Sequence, residues 1–342
     1  NRENYGKRFN NNLKMSIFEA RRAIKPYEHP HLIKYAHAIH ESFWTPEHFT
    51  YDRDVNDYLV KLNTTEQDIL KKAMLAIGVI ENKVKTFWAR IDMRMPKTEI
   101  AIVGHTFAGN EVIHQLTYEK LLTLLGLEDE FDKVIDIPCM QGRSDYLTKY
   151  LQGVYSKSNK EFTKSLILFT LLVENASLFS QFLIVSSFKK HKNILSNFNS
   201  VISATAREEN LHAKFGEELI KIIRSENPEW FDEEMESKIR RNVRKALVAE
   251  TEVLDWIFEK GELDFLPKES IIEYLKSRFN KSLNQIGYSN EFEINDKLLE
   301  PTEFLEVQLM ASSSFDFFNE KSTDYSQNTA FDEEDLWDEQ VD

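Results

Sequence analysis

The chain has 342 residues, of which 42% are hydrophobic, enough for one large domain or two ordinary ones with a sizeable buried core. Its formal net charge of −14 argues against a nucleic-acid groove, because phosphate binding needs clustered positive charge. With 10 Gly and 8 Pro over the whole length, breakers are sparse, which favours long helices over strands and turns. The single cysteine, Cys139, cannot form an internal disulfide and excludes a secreted disulfide framework. Residues 1–12 are polar and charged rather than leader-like, and no run of 18 or more uncharged apolar residues occurs, so no membrane span is expected. These observations predict a soluble cytoplasmic protein.

In chain order, residues 1–27 read as an N-terminal arm. Residues 29–49 are rich in His and aromatics and are broken by Pro30 and Pro46. Thr64 with Gln67 fits a capping box and opens a helix over 65–92. That helix carries Ile77, Glu81, Val84 and Trp88 on one face. A second helix over 98–126 carries Phe107, Glu111, His114, Tyr118 and Leu122 in register, with Gly126 as its stop. A helix over 128–153, kinked near Pro138, follows. The very apolar stretch 160–187 has Ile167, Leu171, Glu174, Leu178 and Phe182 in register. The next, 196–225, places Thr205, Glu209, His212 and Gly216 together and ends at Asn227-Pro228. Two more helices are expected over 232–260 and 268–286. The domain so defined spans 28–290. Residues 291–342 form a C-terminal segment whose end, 324–342, is polar and acidic with Tyr325, Phe331 and Trp337 as its aromatics. It reads as a disordered tail with an interaction motif.

Two Glu-x-x-His pairs, Glu111 with His114 and Glu209 with His212, lie on separate helices. Spacing of three points both side chains of a pair the same way, so both can grip one ion. Glu81 and Glu174 interrupt apolar stripes upstream of each pair. Four carboxylates and two imidazoles on four helices make a dinuclear metal site inside a bundle. A lone glutamate on such a stripe is ordinarily paired with an arginine. Four unpaired ones with two histidines in register need a cation, because burying each carboxylate costs several kcal/mol. Oxygen ligands suit hard iron and manganese, and imidazole keeps the site borderline. A further match, Glu28-His29-Pro30-His31, is a decoy, since Pro30 interrupts any helix there. Tyr118 lies one turn past His114 on the same face, either as a core tyrosine or as a redox-active one.

At these residues the chain resembles the small (beta, radical-generating) subunit of class I ribonucleotide reductase. The likeness rests on Glu111-Val112-Ile113-His114 followed by Tyr118, on Arg207-Glu208-Glu209-Asn210-Leu211-His212, on Val79-Ile80-Glu81 with Thr86-Phe87-Trp88, and on Leu172-Val173-Glu174-Asn175 with Phe179-Ser180-Gln181-Phe182. The resemblance implies an all-α, ferritin-like helical bundle, a homodimer, with Glu81, Glu111, His114, Glu174, Glu209 and His212 holding two metal ions per chain, iron or manganese or one of each. It further implies an oxidant stored on Tyr118 or on the metals. That oxidant passes through Glu208, Trp44 and Tyr325 to the large (alpha) subunit, on which the C-terminal tail docks. There ribonucleoside diphosphates become deoxyribonucleotides. Thr205 departs from the aliphatic residue that many relatives carry in the pocket of the tyrosine. The competing readings are an R2-like ligand-binding oxidase or other dimetal oxidase of the same fold, and a metal-storage bundle. No nucleic-acid or membrane partner is expected.

Overall fold

Sparse helix breakers leave the chain as a succession of long helices. A computed structural model describes residues 15–21 and 23–310. Its α-helices are α1 (Ile33–Glu41), α2 (Asp52–Asn56), α3 (Thr64–Ala89), α4 (Thr98–Leu124), α5 (Glu128–Val134), α6 (Pro138–Leu151), α7 (Asn159–Leu168), α8 (Phe179–Lys192), α9 (Ser196–Glu226), α10 (Glu233–Ile257), α11 (Lys268–Gln285) and α12 (Asp296–Leu299). A π-helical segment, Phe169–Ser177, joins α7 to α8. A last helix covers 303–310. No strand forms among the described residues, so the all-α expectation holds.

Several local expectations need correction. The cap of α3 is Asn63 rather than Thr64: its Oδ1 accepts from the Glu66 amide at 2.9 Å, and Glu66 Oε2 accepts from the Asn63 amide at 3.1 Å. Asn63 has the extended backbone a cap needs, which Thr64, already inside the helix, does not. The kinked helix over 128–153 is two helices, because Pro138 cannot continue the first and instead starts the second. The end of α4 follows expectation. Gly126, at φ +69, lets the Leu127 amide reach back to the Leu122 carbonyl at 2.9 Å.

The run Asn159–Lys192 is long and apolar enough by length and composition to cross a membrane, although it carries charged residues, and its apolar window is wholly buried inside the protein. It is the central helix of the bundle, apolar all round because it has neighbours all round. Helix α9 can approach it closely at Gly216, where a Cβ would collide with the Thr170 side chain. At the predicted arm, Ile17 is fully buried, and Ser16 Oγ and the Ile17 amide donate to Glu226 at 3.0 and 2.9 Å. At the other end Leu305 and Leu309 are buried against the bundle.

Two buried arginines tie the helices together. Arg143 on α6 donates Nε to Glu250 Oε1 of α10 at 3.0 Å, Nη1 to the Ala76 carbonyl of α3 at 3.1 Å and Nη2 to Gln181 Oε1 of α8 at 2.7 Å. Arg278 on α11 pairs with Glu306 of the last helix at 2.9 Å. Tyr274 Oη also donates to Glu306, at 2.9 Å. Burial alone would raise the Glu306 pKa, but the charges of Arg278 and Lys281 hold it down to about 2, against an ordinary 4.5. A carboxylate depressed in this way stabilises the fold at pH values above its unfolded pKa, and the contribution is lost as pH falls through the folded one. Thermal melting followed from neutral pH downwards should therefore lose stability between about 4.5 and about 2, and Glu306→Gln should flatten that acid limb. An acid limb of the same depth in the variant would show that this cluster does not contribute.

Candidate metal centre

Helices α3, α4 and α9 and the π-helical segment converge on one buried point, and each brings acidic side chains to it. Two overlapping groups of ligand atoms lie there, each within 4.8 Å of one another: Glu81, Glu111, His114 and Glu209, and Glu111, Glu174, Glu209 and His212. Glu111 and Glu209 belong to both groups. The arrangement is compatible with two neighbouring cations and two shared carboxylates. His114 Nδ1 lies 3.6 Å from Glu81 Oε2, 3.3 Å from Glu111 Oε2 and 3.2 Å from Glu209 Oε1. His212 Nδ1 lies 3.0 Å from Glu111 Oε1, 3.5 Å from Glu174 Oε2 and 3.4 Å from Glu209 Oε2.

All six side chains are buried, yet most of their polar atoms go unsatisfied. Both oxygens of Glu81 and of Glu111, Oε2 of Glu174, Oε1 of Glu209 and Nδ1 of both histidines have no hydrogen-bond partner. Buried polar groups are nearly always paired, and each orphan costs about 1–3 kcal/mol or more when charged. So many orphans aimed at one point fit a dimetal site, and the oxygen-rich donor set with one imidazole per position suits iron or manganese.

The cluster's electrostatics agree. Burial pushes Glu81 up to about 8. Glu174 is raised well above the carboxylate range by burial and by the charge of Glu209. Burial would raise Glu209 too, but close contacts with His114 and His212 hold it well below. Both imidazoles would be pushed down by burial but are raised well above their usual value, His114 chiefly by Glu81 and His212 chiefly by Glu111.

Outside this cluster each histidine has a partner that fixes its ring. His114 Nε2 is hydrogen-bonded to Glu208 Oε2 at 2.7 Å, and His212 Nε2 to Asn110 Oδ1 at 3.1 Å. With Nε2–H turned outward, Nδ1 of each ring faces the cluster. Glu208 also accepts from Trp44 Nε1, at 3.0 Å to each oxygen. The Trp44 ring lies stacked on that of His114, with centroids 6.2 Å apart and planes inclined by 24°. Tyr118 is fully buried one turn beyond His114, and its hydroxyl donates to Thr205 Oγ1 at 3.4 Å. Burial and the charge of Glu81 push its phenol well above the usual range.

The profile of the family described as "Ribonucleotide reductase, small chain" matches residues 21–298. The chain belongs to the ribonucleotide reductase small-chain family. A probable ribonucleoside-diphosphate reductase small subunit of Invertebrate iridescent virus 3 is 21% identical over 327 residues, covering 91% of this chain and 86% of the viral one. Among solved structures, a putative class I ribonucleotide reductase from Bacillus halodurans superposes with a TM-score of 0.73 at 17% identity, covering 82% of this chain and 99% of that one. An R2-like ligand-binding oxidase mutant with a reconstituted Mn/Fe cofactor superposes with a TM-score of 0.65 at 17% identity, covering 75% and 93%. At such identities the structures establish the ferritin-like fold that this small-chain family member shares.

For this small chain, the structure brings Glu81, Glu111, His114, Glu174, Glu209 and His212 into one cluster and sets Glu208, Trp44 and Tyr118 around it. Tyr325 and the tail 324–342 lie outside the described residues. The decoy pair is elsewhere engaged: both Glu28 oxygens accept from Lys97 Nζ, at 3.0 and 2.9 Å. Sequence reasoning missed two outer partners. Asn110 holds His212, and Trp88 Nε1 donates to Glu174 Oε1 at 2.7 Å. Trp88 was legible as a member of the Glu81 stripe, and Asn110 only as a polar neighbour of Glu111.

The Tyr118–Thr205 contact can be measured directly in the metal-free protein. Thr205→Val should cost about 1–3 kcal/mol by leaving a buried hydroxyl without its acceptor. The same change made in a Tyr118→Phe background should cost clearly less, because both partners are then gone. Equal costs in the two backgrounds, read from chemical denaturation, would mean that the two hydroxyls do not interact.

Proposed function

We propose that this chain is the radical-generating small subunit of a class I ribonucleotide reductase, and that Glu81, Glu111, His114, Glu174, Glu209 and His212 hold two ions of iron or manganese. The observation that carries the reading is the pair of overlapping ligand groups sharing Glu111 and Glu209, with most of their polar atoms lacking a hydrogen-bond partner. Bound there, such ions supply an oxidising equivalent by reaction with dioxygen or a reduced oxygen species. The apolar bundle keeps bulk water from the site. Its oxidant rests on Tyr118 or at the metal pair.

The chain's own residues form the start of the outward path. Glu208 spans His114 Nε2 and Trp44 Nε1. Its carboxylate is placed to take the indole proton when an electron leaves Trp44 and to return it afterwards. Tyr325 is the relay nearest the partner, and the tail around Phe331, Leu336 and Trp337 is the segment that docks on the large subunit, where ribonucleoside diphosphates are reduced. With Cys139 as its single cysteine, this chain lacks the thiol set that nucleotide reduction requires. A homodimer is supported by α4, which exposes Ile102, Val112 and Leu116 beside Gly109, where nothing lies within 4 Å of an added Cβ.

Two experiments test the proposal. Tyr118→Phe should keep its metal content, and where an organic radical is the stored oxidant it should lose that signal in electron paramagnetic resonance. Full turnover of the variant with the large subunit would put the oxidant on the metals. Removing residues 324–342 should leave the metal site intact and abolish turnover with the large subunit. Oxidase activity that survives the truncation would point to a ligand-binding oxidase instead.

A further inference from the structure

Glu174 enters the cluster from a segment that is not α-helical. Phe169–Ser177 is wound as a π-helix, which shifts each carbonyl away from its α-helical amide partner, and such turns are held in place by their surroundings. Three carbonyls of this segment receive side-chain donors. Arg143 Nη2 donates to the Ser177 carbonyl. Arg278 Nε donates to the Asn175 carbonyl at 2.7 Å. Ser177 Oγ donates to the Leu172 carbonyl at 2.6 Å.

The two arginines come from different helices, α6 and α11, and share a design. Both are buried. Each is neutralised by its own glutamate, Arg143 by Glu250 at 2.9 Å and Arg278 by Glu306 at 2.9 Å. The Arg278 guanidinium also lies 3.6 Å from the centroid of the Phe179 ring, at the start of α8. Burying a guanidinium is costly, and the planar fork suits it to hold a carboxylate and a carbonyl at once. Both forks spend a donor on the backbone just after Glu174. Glu174 itself is tethered only through Oε1, by Trp88, while its Oε2 has no hydrogen-bond partner. Its aim into the cluster therefore depends on where the backbone of the segment is held.

We propose that Arg143 and Arg278 are positioning residues: they hold the π-helical segment in the register at which Glu174 completes the half-site shared with Glu111, Glu209 and His212. The inference rests on the reading of the cluster as a dimetal site. The other half-site, Glu81, Glu111, His114 and Glu209, takes no ligand from the segment, so the two halves should respond differently.

The test is manganese(II) binding to the metal-free full chain, followed by calorimetry and electron paramagnetic resonance, with the ions located by anomalous scattering from crystals. Arg278→Met combined with Glu306→Gln removes one brace without leaving a buried charge. It should weaken one ion by about 10–100-fold, the usual effect of losing an outer partner of a metal ligand. The His114 half should stay occupied, and the signal of a coupled pair should give way to that of an isolated ion. Glu306→Gln alone keeps Arg278 on the Asn175 carbonyl and should bind both ions like the unmodified chain. Should the double variant fail to fold, Arg278→Lys, which keeps a cation beside Glu306 but lacks the planar fork that also reaches the Asn175 carbonyl, carries the same expectation of selective loss at the His212 half. Two ions bound with unchanged affinity, or both weakened in parallel, would overturn the bracing role alone. Fewer than two ions on the unmodified chain would overturn the dimetal reading and this inference with it.

Discussion

Burial of four carboxylates around one point is the constraint from which the rest of the architecture follows. An apolar bundle gains nothing from such residues, and each unpaired one costs free energy that packing has to offset. The chain surrounds them with its most apolar helix and with rings that exclude water. Phe107 lies against His212, with centroids 4.2 Å apart, and Trp44 lies on His114. The orphaned atoms of the cluster lie close together, where a cation can satisfy them at once. Three buried cations elsewhere follow the ordinary rule. Arg143 and Glu250, Arg278 and Glu306, and Lys97 and Glu28 are charges brought in with their partners.

The outer contacts make the two halves of the cluster unequal. Behind His114 stands a carboxylate, and behind His212 a neutral amide. A carboxylate on the far nitrogen makes an imidazole more electron-rich than an amide does. On the carboxylate side the hydrogen bonds continue from His114 through Glu208 to Trp44. Helix α9 carries Glu208 and Glu209 in adjacent positions, the first facing His114's outer nitrogen and the second facing the cluster. One turn of one helix thus builds both the inside and the outside of the site.

Much of this was readable in the sequence because helices translate spacing into direction. Glutamate and histidine three apart must share a face, and the stripes of α3, α4 and α9 bring their glutamates and histidines to one cluster. Membership of the family was legible for the same reason, through motifs that are short but tied to helical geometry. Other features depend on partners distant in sequence. Neither the amide of Asn110 nor the indole N–H of Trp88 announces which ligand it will meet. Choosing Thr64 over Asn63 as the cap of α3 was an error of one residue, since both types cap well and backbone geometry decided between them. The π-helical segment was invisible because its apolar stripe satisfies an α-helical period just as well, every side of that helix being buried. Residues 324–342, where the sequence suggests a docking motif, lie beyond the described part of the chain.

The π-helical segment also says how such a site can be gained or lost. A wide turn of this kind is what remains when one extra residue is accommodated in an α-helix whose two ends are already fixed by packing. Removing one residue within 169–177 would favour α-helical winding between those fixed ends and change the direction in which Glu174 points. The composition of the chain would hardly change, its apolar core would still close, and one of the two cation positions would lose a ligand. In this bundle the winding of one nine-residue segment decides whether a fourth carboxylate reaches the cluster.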